Sequence, residues 1–239
     1  MTSLPPIETA FDAREDTPVG RDPDAHSPTL RRYHRLLWGR RLPNGRRFDL
    51  AESVPGRYLS HRSALGDFAL SSDAFVPTFT RWRRLAPIVS RLPEHGHERF
   101  RRIAPTIGAA IIWPATPRPD RQTINTARGI SPLIADRPDL TVECIRRHYA
   151  GGTSPLSAVL TANSDYFALF DHFPGFVAHF PLHDLVTASA PAVRFLLPFD
   201  DFHSAGWPRE VAGYVAYREA ATAFVEARNA RIARVGTTG

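Results

Sequence analysis

The order of apolar and polar positions divides the chain into an early part with short extended segments and a later part with helical periodicity. Alternating patterns at 56–63 and 67–75, joined by a Ser-Ala-Leu-Gly loop, predict a β-hairpin. The continuous apolar run at 107–114 is bounded by prolines and predicts a buried central strand. A further strand is predicted at 191–199.

Helix start and stop signals mark several helices. Ser27 before Pro28 predicts a helix that Gly39 ends. A second helix is predicted from Pro138, with Asp136 as its candidate N-cap. The segment 208–235 has the apolar stripe of a long terminal amphipathic helix.

These elements predict a single α+β domain. Its sheet is small and mostly antiparallel, and its helices are concentrated in the C-terminal half. Residues 1–25 mix proline with charged residues and lack periodicity, so we expect a flexible N-terminal arm. Residues 26–239 then form the globular domain.

All 30 basic residues are arginine, and the chain contains no lysine. This composition excludes Walker A lysines, Schiff-base lysines and lysine general bases. Codon bias is the simpler explanation of such arginine use, and selection for bidentate anion binding is the alternative. The one cysteine, Cys144, allows no internal disulfide and no cysteine-based metal cage, and we expect it to be buried and inert.

The net charge of +6 lies within residues 1–102, and two segments carry most of it. Residues 31–47 hold seven arginines and no acid, and residues 81–102 hold seven arginines and two glutamates. Such a face with interleaved aromatic residues can attract nucleic acid or a nucleotide. The alternative is a solvated basic face without a partner.

Polar residues concentrate in the segment 123–152, which follows the predicted buried strand. Ligands often gather beyond the carboxyl ends of strands, and the N-terminus of the helix from Pro138 offers free N–H groups. We therefore predict a site where two arginines hold a phosphate or carboxylate and turn toward one shared pocket. The predicted ligand-binding residues are Asn125, Arg128, Asp136, Arg137, Glu143 and His148.

A structural alternative applies to part of this segment. Glu143 lies three and four positions before Arg146 and Arg147, so the three can form ion pairs on one helix face. In that case these charges stabilise the helix and bind no ligand.

Other candidate chemistry is weak. His95 and His97 alternate but lack a second ligand group at defined spacing, and Pro181 separates His179 from His183, so we predict no metal site. Asp200 and Asp201 point to opposite sides if they are extended. The sequence lacks the motifs GxSxG, GxGxxG, HExxH and HxE with PCxxC, so no catalytic residue or cofactor is indicated.

The sequence shows no membrane span and no signal peptide, which predicts a soluble cytoplasmic protein.

Three long motifs stand out in the sequence: "TINTARG", "DRPDLTVECIRRHY" and "FLLPFDDF". In these motifs, and from about residue 22 to 232, the chain resembles an uncharacterised bacterial family, a domain of unknown function. The resemblance implies one domain and a bacterial origin, and it implies no activity.

Three functional hypotheses follow. The first is recognition of an anionic, phosphate-bearing ligand, nucleic acid or nucleotide, through the arginine-rich face. The second is an enzyme that acts on a phosphoester or other anionic substrate with the polar cluster at 125–148. The third is a structural or interaction protein.

Overall fold

The structure, a computed structural model, describes residues 7–54, 58–77, 83–92, 98–115, 122–188 and 192–235. Its strands are β1 (Ala51–Val54), β2 (Tyr58–Ser63), β3 (Gly66–Ala74) and β4 (Ala110–Pro114). Its α-helices are α1 (Pro23–His26), α2 (Pro28–Trp38), α3 (Ala86–Val89), α4 (Glu98–Ile103), α5 (Ile124–Ile130), α6 (Pro138–Tyr149), α7 (Ser157–Thr161), α8 (Ser164–Ala168), α9 (Phe173–His179) and α10 (Val211–Val235). Short 3-10 turns lie at Arg83–Leu85, Ile107–Ala109 and His183–Leu185.

The four strands form one antiparallel sheet in the order β1-β2-β3-β4, and α5 to α10 follow it in sequence. This arrangement is a single α+β domain and confirms the predicted fold class. The predicted hairpin is β2 and β3, which pair His61 with Phe68 across a tight loop. β4 then pairs with β3, with Asp73 opposite Ile111.

Two strand predictions were wrong. β4 lies at the edge of the sheet and not at its centre, although every residue in it is buried. β4 is apolar because helices pack over it. For example, the hydroxyl of Tyr166 on α8 donates to the Ile112 carbonyl at 3.3 Å. Residues 192–199 form a loop with an isolated bridge between Val186 and Val193, and the backbone N–H of Leu196 bonds the Asp139 carboxylate instead of a strand.

The start of α2 follows the predicted capping signals. The Ser27 hydroxyl accepts the backbone N–H of Leu30 at 3.1 Å and donates to Asp16 at 2.5 Å. Pro28 occupies the first helical turn, and Gly39 follows the last helical residue.

We expect Ser27→Ala to lower the free energy of unfolding by about 1–2 kcal/mol, because it leaves the buried backbone N–H of Leu30 without its acceptor. Urea denaturation measures the change. The exposed Ser204→Ala variant is the control and should differ from the parent protein by less than about 0.5 kcal/mol. Equal losses in both variants contradict the capping role.

The predicted terminal helix is α10, which begins three residues later than expected. Its buried face includes Tyr217, Phe224 and Ile232. Arg228 on the same helix is also completely buried. Its guanidinium donates to the carbonyls of Phe180, Gly108 and Ala110 at 2.8–3.1 Å, so it joins α10 to the sheet edge and to the end of α9.

The segment predicted as a flexible arm contacts the rest of the domain from residue 7 onward. Ala13 is buried, and its N–H donates to the Pro105 carbonyl at 3.1 Å. Phe11 packs edge-on against Tyr33 with ring centroids 6.1 Å apart. The flexibility of this arm stays a prediction.

Candidate functional site

The candidate site is an open cavity of about 340 Å³ between α1, the end of β3 and the loop before α6. β3 ends with Ser72, Asp73 and Ala74 beside α1. The carboxylate of Asp24 on α1 accepts the Ala74 N–H at 2.9 Å, and this bond fixes α1 against the strand. Both ends of that bond line the cavity.

Arg128 in the last turn of α5 organises the inner wall. Its side chain is fully buried and packs over the rings of Phe75 and Trp113. Nη1 donates to Asp73 Oδ2 at 2.5 Å, and Nη2 lies 3.2 Å from Asp136 Oδ1. One guanidinium is thus shared by two carboxylates that line the cavity.

The remaining donors of Arg128 are also used within the protein. Nε donates to the Thr141 hydroxyl at 2.8 Å. Nη2 donates to the carbonyls of Asp136 and Phe75 at 2.9 and 3.1 Å. A ligand in the cavity therefore meets the carboxylates before it meets the arginine.

Asp136 reaches the cavity through an unusual backbone conformation. Ala135 and Asp136 have φ angles of 48° and 61°, in the left-handed region that non-glycine residues seldom adopt. This turn brings the Asp136 carboxylate to the cavity wall and leaves Arg137 as the N-cap of α6, one position after the predicted cap. Such backbone strain costs on the order of 1–3 kcal/mol per residue and is often found at functional sites.

The wall is strongly acidic. Four of its side chains are the acidic groups of Asp22, Asp24, Asp73 and Asp136. Burial raises the pKa of Asp73 to about 8 against the opposing effect of Arg128, and the carboxylates of Asp136 and Asp24 act in the same direction as burial. The wall therefore combines a carboxyl group that retains its proton with nearby carboxylates.

A hydrogen-bond chain orients Asp24 from behind. The Trp38 indole N–H donates to His34 Nδ1 at 2.8 Å, so Nδ1 is the acceptor and the neutral ring carries its proton on Nε2. Nε2 donates to the Ser72 hydroxyl at 2.8 Å, and that hydroxyl faces Asp24 Oδ1 at 3.5 Å. Burial lowers the pKa of His34 to about 3.

This tautomer determines the role of Ser72. Because His34 donates to Ser72, it cannot accept the hydroxyl proton, and Ser72 is not activated as a nucleophile by His34. The chain instead fixes the orientation of the Asp24 carboxyl group.

The structure divides the predicted site residues into two groups. Asn125 and Asp136 line the cavity, and Arg128 contacts it through Asp73 and Asp136. Arg137, Glu143 and His148 are absent from its lining. Their roles in ligand binding stay predictions.

The three residues that are absent from the cavity lining all contact other parts of the fold. The Arg137 guanidinium is buried and pairs with Asp139 through two hydrogen bonds, and it also donates to the Gly206 carbonyl at 2.8 Å. Glu143 accepts from Arg146 and Arg147 at 2.7–2.8 Å, which is the arrangement of the structural alternative. The His148 ring packs edge-on against Phe167.

Sequence reasoning missed Asp24 and Asp73. Asp24 lies in the segment predicted to be flexible, and Asp73 lies inside a predicted strand. One feature of the sequence could have indicated Asp73. The segment "SSDAF" places three polar residues at the end of a predicted strand.

Metal binding finds no support in the described part of the chain, where no group of three or more His, Cys, Asp or Glu side chains is arranged to hold an ion. His95 and His97 lie outside the described residues.

Cys144 is buried as predicted, and burial raises the pKa of its thiol to about 12. In the ranges that the structure covers, no helix is both long and apolar enough to cross a membrane.

The fold and this cavity define an α+β domain with an acidic, solvent-accessible cleft. The chain belongs to the Family of unknown function (DUF6994), which matches residues 7–232. This match confirms the resemblance to a domain of unknown function. Neither a curated protein nor a solved structure matches the chain.

Proposed function

We propose that the cavity binds a small organic molecule through a cationic group, an ammonium or a guanidinium. The observation that carries this proposal is the charge of the wall, which has the four acidic side chains of Asp22, Asp24, Asp73 and Asp136, two of them in contact with Arg128. Arg14 also lines the cavity, but its guanidinium forms a bidentate pair with Asp12. An entering cation is attracted by the carboxylates among these acidic side chains.

The same geometry disfavours an anion at this position. The donors of Arg128 point to protein acceptors, so a phosphate has to displace Asp73 or Asp136 to reach them. The wall carboxylates repel it as well. The phosphate ligand expected at 125–148 therefore stays a prediction that the wall charge does not support.

The size of the cavity fits a small molecule. Ligand pockets commonly enclose roughly 300–1,000 Å³, and this cavity lies near the lower limit. Its other wall residues include Leu30, Val76 and Pro105, which offer apolar contact to an aliphatic body. A short aliphatic amine or guanidine matches both properties.

Butylguanidinium and butylamine are suitable probes, with butyrate as the anion of similar size and butanol as the neutral one. We expect the two cations to raise the thermal midpoint of unfolding in a concentration-dependent manner and butyrate to leave it unchanged. Equal effects from butyrate, or no effect from either cation in titration calorimetry, contradict the proposal.

Asp24→Asn is the variant that tests the carboxylate. The amide oxygen can still accept the Ala74 N–H, so the fold is kept, but the loss of charge should weaken cation binding by at least about tenfold. Asp200→Asn removes an exposed carboxylate outside the cavity and should leave binding unchanged. Similar affinities in both variants contradict the role of Asp24.

The predicted arginine-rich face is formed by residues other than those of the cavity. In the segment 31–47, Arg32, Arg41, Arg46 and Arg47 are exposed, whereas Arg31 is buried. Arg47 pairs with Asp49, and Arg41 donates to the Gly45 carbonyl. Nucleic-acid binding by this face, like the cytoplasmic location, stays a prediction.

If nucleic acid binds this face, its affinity should fall steeply with added salt, because phosphate contacts release counterions. Arg32→Gln with Arg46→Gln should weaken binding and reduce the slope of log K against log salt by about 2. Fluorescence anisotropy with labelled single-stranded and duplex oligonucleotides measures both. Absence of binding to all oligonucleotides at low salt contradicts this hypothesis.

A further inference from the structure

A second depression, of about 660 Å³, lies between α9, the 3-10 turn His183–Leu185 and the C-terminal part of α10. We call it the α9–α10 groove. One side is formed by Arg194, whose backbone N–H donates to the Leu185 carbonyl at 2.9 Å. The Thr187 N–H donates to the Ala192 carbonyl at the same distance. These backbone bonds fix Arg194 beside the groove.

The charge of this groove is opposite to that of the cavity. Its charged lining residues are Arg194, Arg231 and Asp184. Arg231 donates to both oxygens of Asp184 at 2.7 and 2.9 Å. Arg194 is exposed and forms no ion pair with a carboxylate in the ranges that the structure describes. Two guanidinium groups therefore face a single carboxylate.

A third guanidinium lies behind the wall. Arg40 donates to the carbonyls of Ala178 and His179, which carry no net charge and do not neutralise it. Arg231, which hydrogen-bonds Asp184, lowers the pKa of that carboxyl, and Arg194 acts in the same direction. Burial and Arg231 lower the pKa of His183, which also lines the groove. The local field is thus positive.

The rest of the lining is mainly apolar and includes Pro174, Val177, Ala178 and Val186. A bare inorganic anion uses only the charged part of such a groove. A ligand that combines an anionic group with an apolar body uses both parts and gains from each.

From this arrangement we propose that the α9–α10 groove binds a small organic anion, whose phosphate or carboxylate group contacts Arg194 and Arg231 and whose apolar body lies against Val177 and Val186. This site is separate from the acidic cavity and does not depend on the function proposed for it. The phosphate or carboxylate that the two arginines of the segment 123–152 were predicted to hold would then bind here.

Titration calorimetry on the full chain tests this site with phenyl phosphate, benzoate and inorganic phosphate as probes. We expect phenyl phosphate or benzoate to bind, and each organic probe that binds should do so more tightly than inorganic phosphate. The comparison of phenyl phosphate with benzoate tells which anionic group the groove prefers. Failure of both organic probes to bind, or equal affinity for inorganic phosphate, overturns the proposal.

Arg194→Gln tests the residue directly. Since Arg194 is exposed, the variant should fold normally, and the affinity for the organic probe should fall by at least about tenfold. Arg194→Glu should abolish binding. Arg209→Gln removes another exposed arginine outside the groove lining and should bind like the parent protein. Equal loss in Arg209→Gln, or no loss in Arg194→Gln, overturns the assignment.

The acidic cavity provides an independent check on the same proteins. Arg194→Gln should leave butylguanidinium binding unchanged, and Asp24→Asn should leave phenyl phosphate binding unchanged. If the affinity for phenyl phosphate changes in Asp24→Asn and is kept in Arg194→Gln, the anion site lies at the cavity and the groove proposal is wrong.

Discussion

Arg128→Met should lower the free energy of unfolding by about 3–5 kcal/mol, because it removes the ion pair with the Asp136 carboxylate and leaves the buried acceptors of Asp73 and Thr141 without their donor. Arg128 is fully buried, and its partners Asp73 and Asp136 have side chains that are 8% and 15% exposed. The variant also leaves the Phe75 carbonyl without its donor. Chemical denaturation with linear extrapolation measures the loss.

Two further variants make this test specific. Arg62→Met breaks an ion pair with Asp67 whose side chains are 82% and 58% exposed, so it should cost only about 0–1 kcal/mol. Combining Arg128→Met with Asp73→Leu removes both partners of the buried Arg128–Asp73 hydrogen bond and should recover part of the stability. A loss below about 1 kcal/mol in Arg128→Met, comparable with the surface variant, contradicts a structural role for this pair.

A second large effect should appear in the dependence of stability on pH. Because burial raises the pKa of Asp73 from 3.8 to about 8, the folded protein holds a proton there that the unfolded chain releases near pH 4. Stability from this group is fully present below about pH 4 and is lost as the pH rises through about 8. The parent protein should therefore lose stability relative to Asp73→Asn over this range, by an amount on the order of a few kcal/mol.

The comparison with Asp73→Asn is needed because buried histidines act in the opposite direction. Burial lowers the pKa values of His34 and His179 to about 3, so the unfolded chain takes up protons below pH 6.5 that the folded chain excludes. Their contribution is present above pH 6.5 and is lost as the pH falls toward 3. Both histidines remain in the variant, so the difference between the two profiles isolates Asp73. Parallel profiles between pH 4 and 9 contradict the raised pKa.

The sequence predicted local features well because their signals lie within a few residues. Ser27, Pro28 and Gly39 delimit α2 as expected, and the alternating segments at 56–63 and 67–75 pair as β2 and β3. The apolar run at 107–114 correctly indicated burial. Burial alone does not give the position of a strand in a sheet, and β4 lies at the edge because its only strand partner in the described sheet is β3.

The candidate site was predictable only where its residues are close in sequence. Asn125, Arg128 and Asp136 lie within one short segment, and all three lie at or beside the cavity. Asp73 is 55 positions from Arg128, and Asp24 is 50 positions from Ala74, the residue whose N–H it accepts. No periodicity in a single sequence encodes such pairings, so the sign of the charge at the cavity could not be deduced from the arginines alone.

The bonds of Arg228 have a consequence for synthesis of the chain on the ribosome. Its guanidinium holds the carbonyls of Gly108 and Ala110, which precede it by 120 and 118 residues. The edge formed by β4 is translated long before α10 can cover it, and contacts of such sequence separation form slowly. We expect the turn Ile107–Ala109 and the start of β4 to lack this cover in the nascent chain until residue 228 has emerged, so chaperone binding and aggregation are concentrated in that interval of translation.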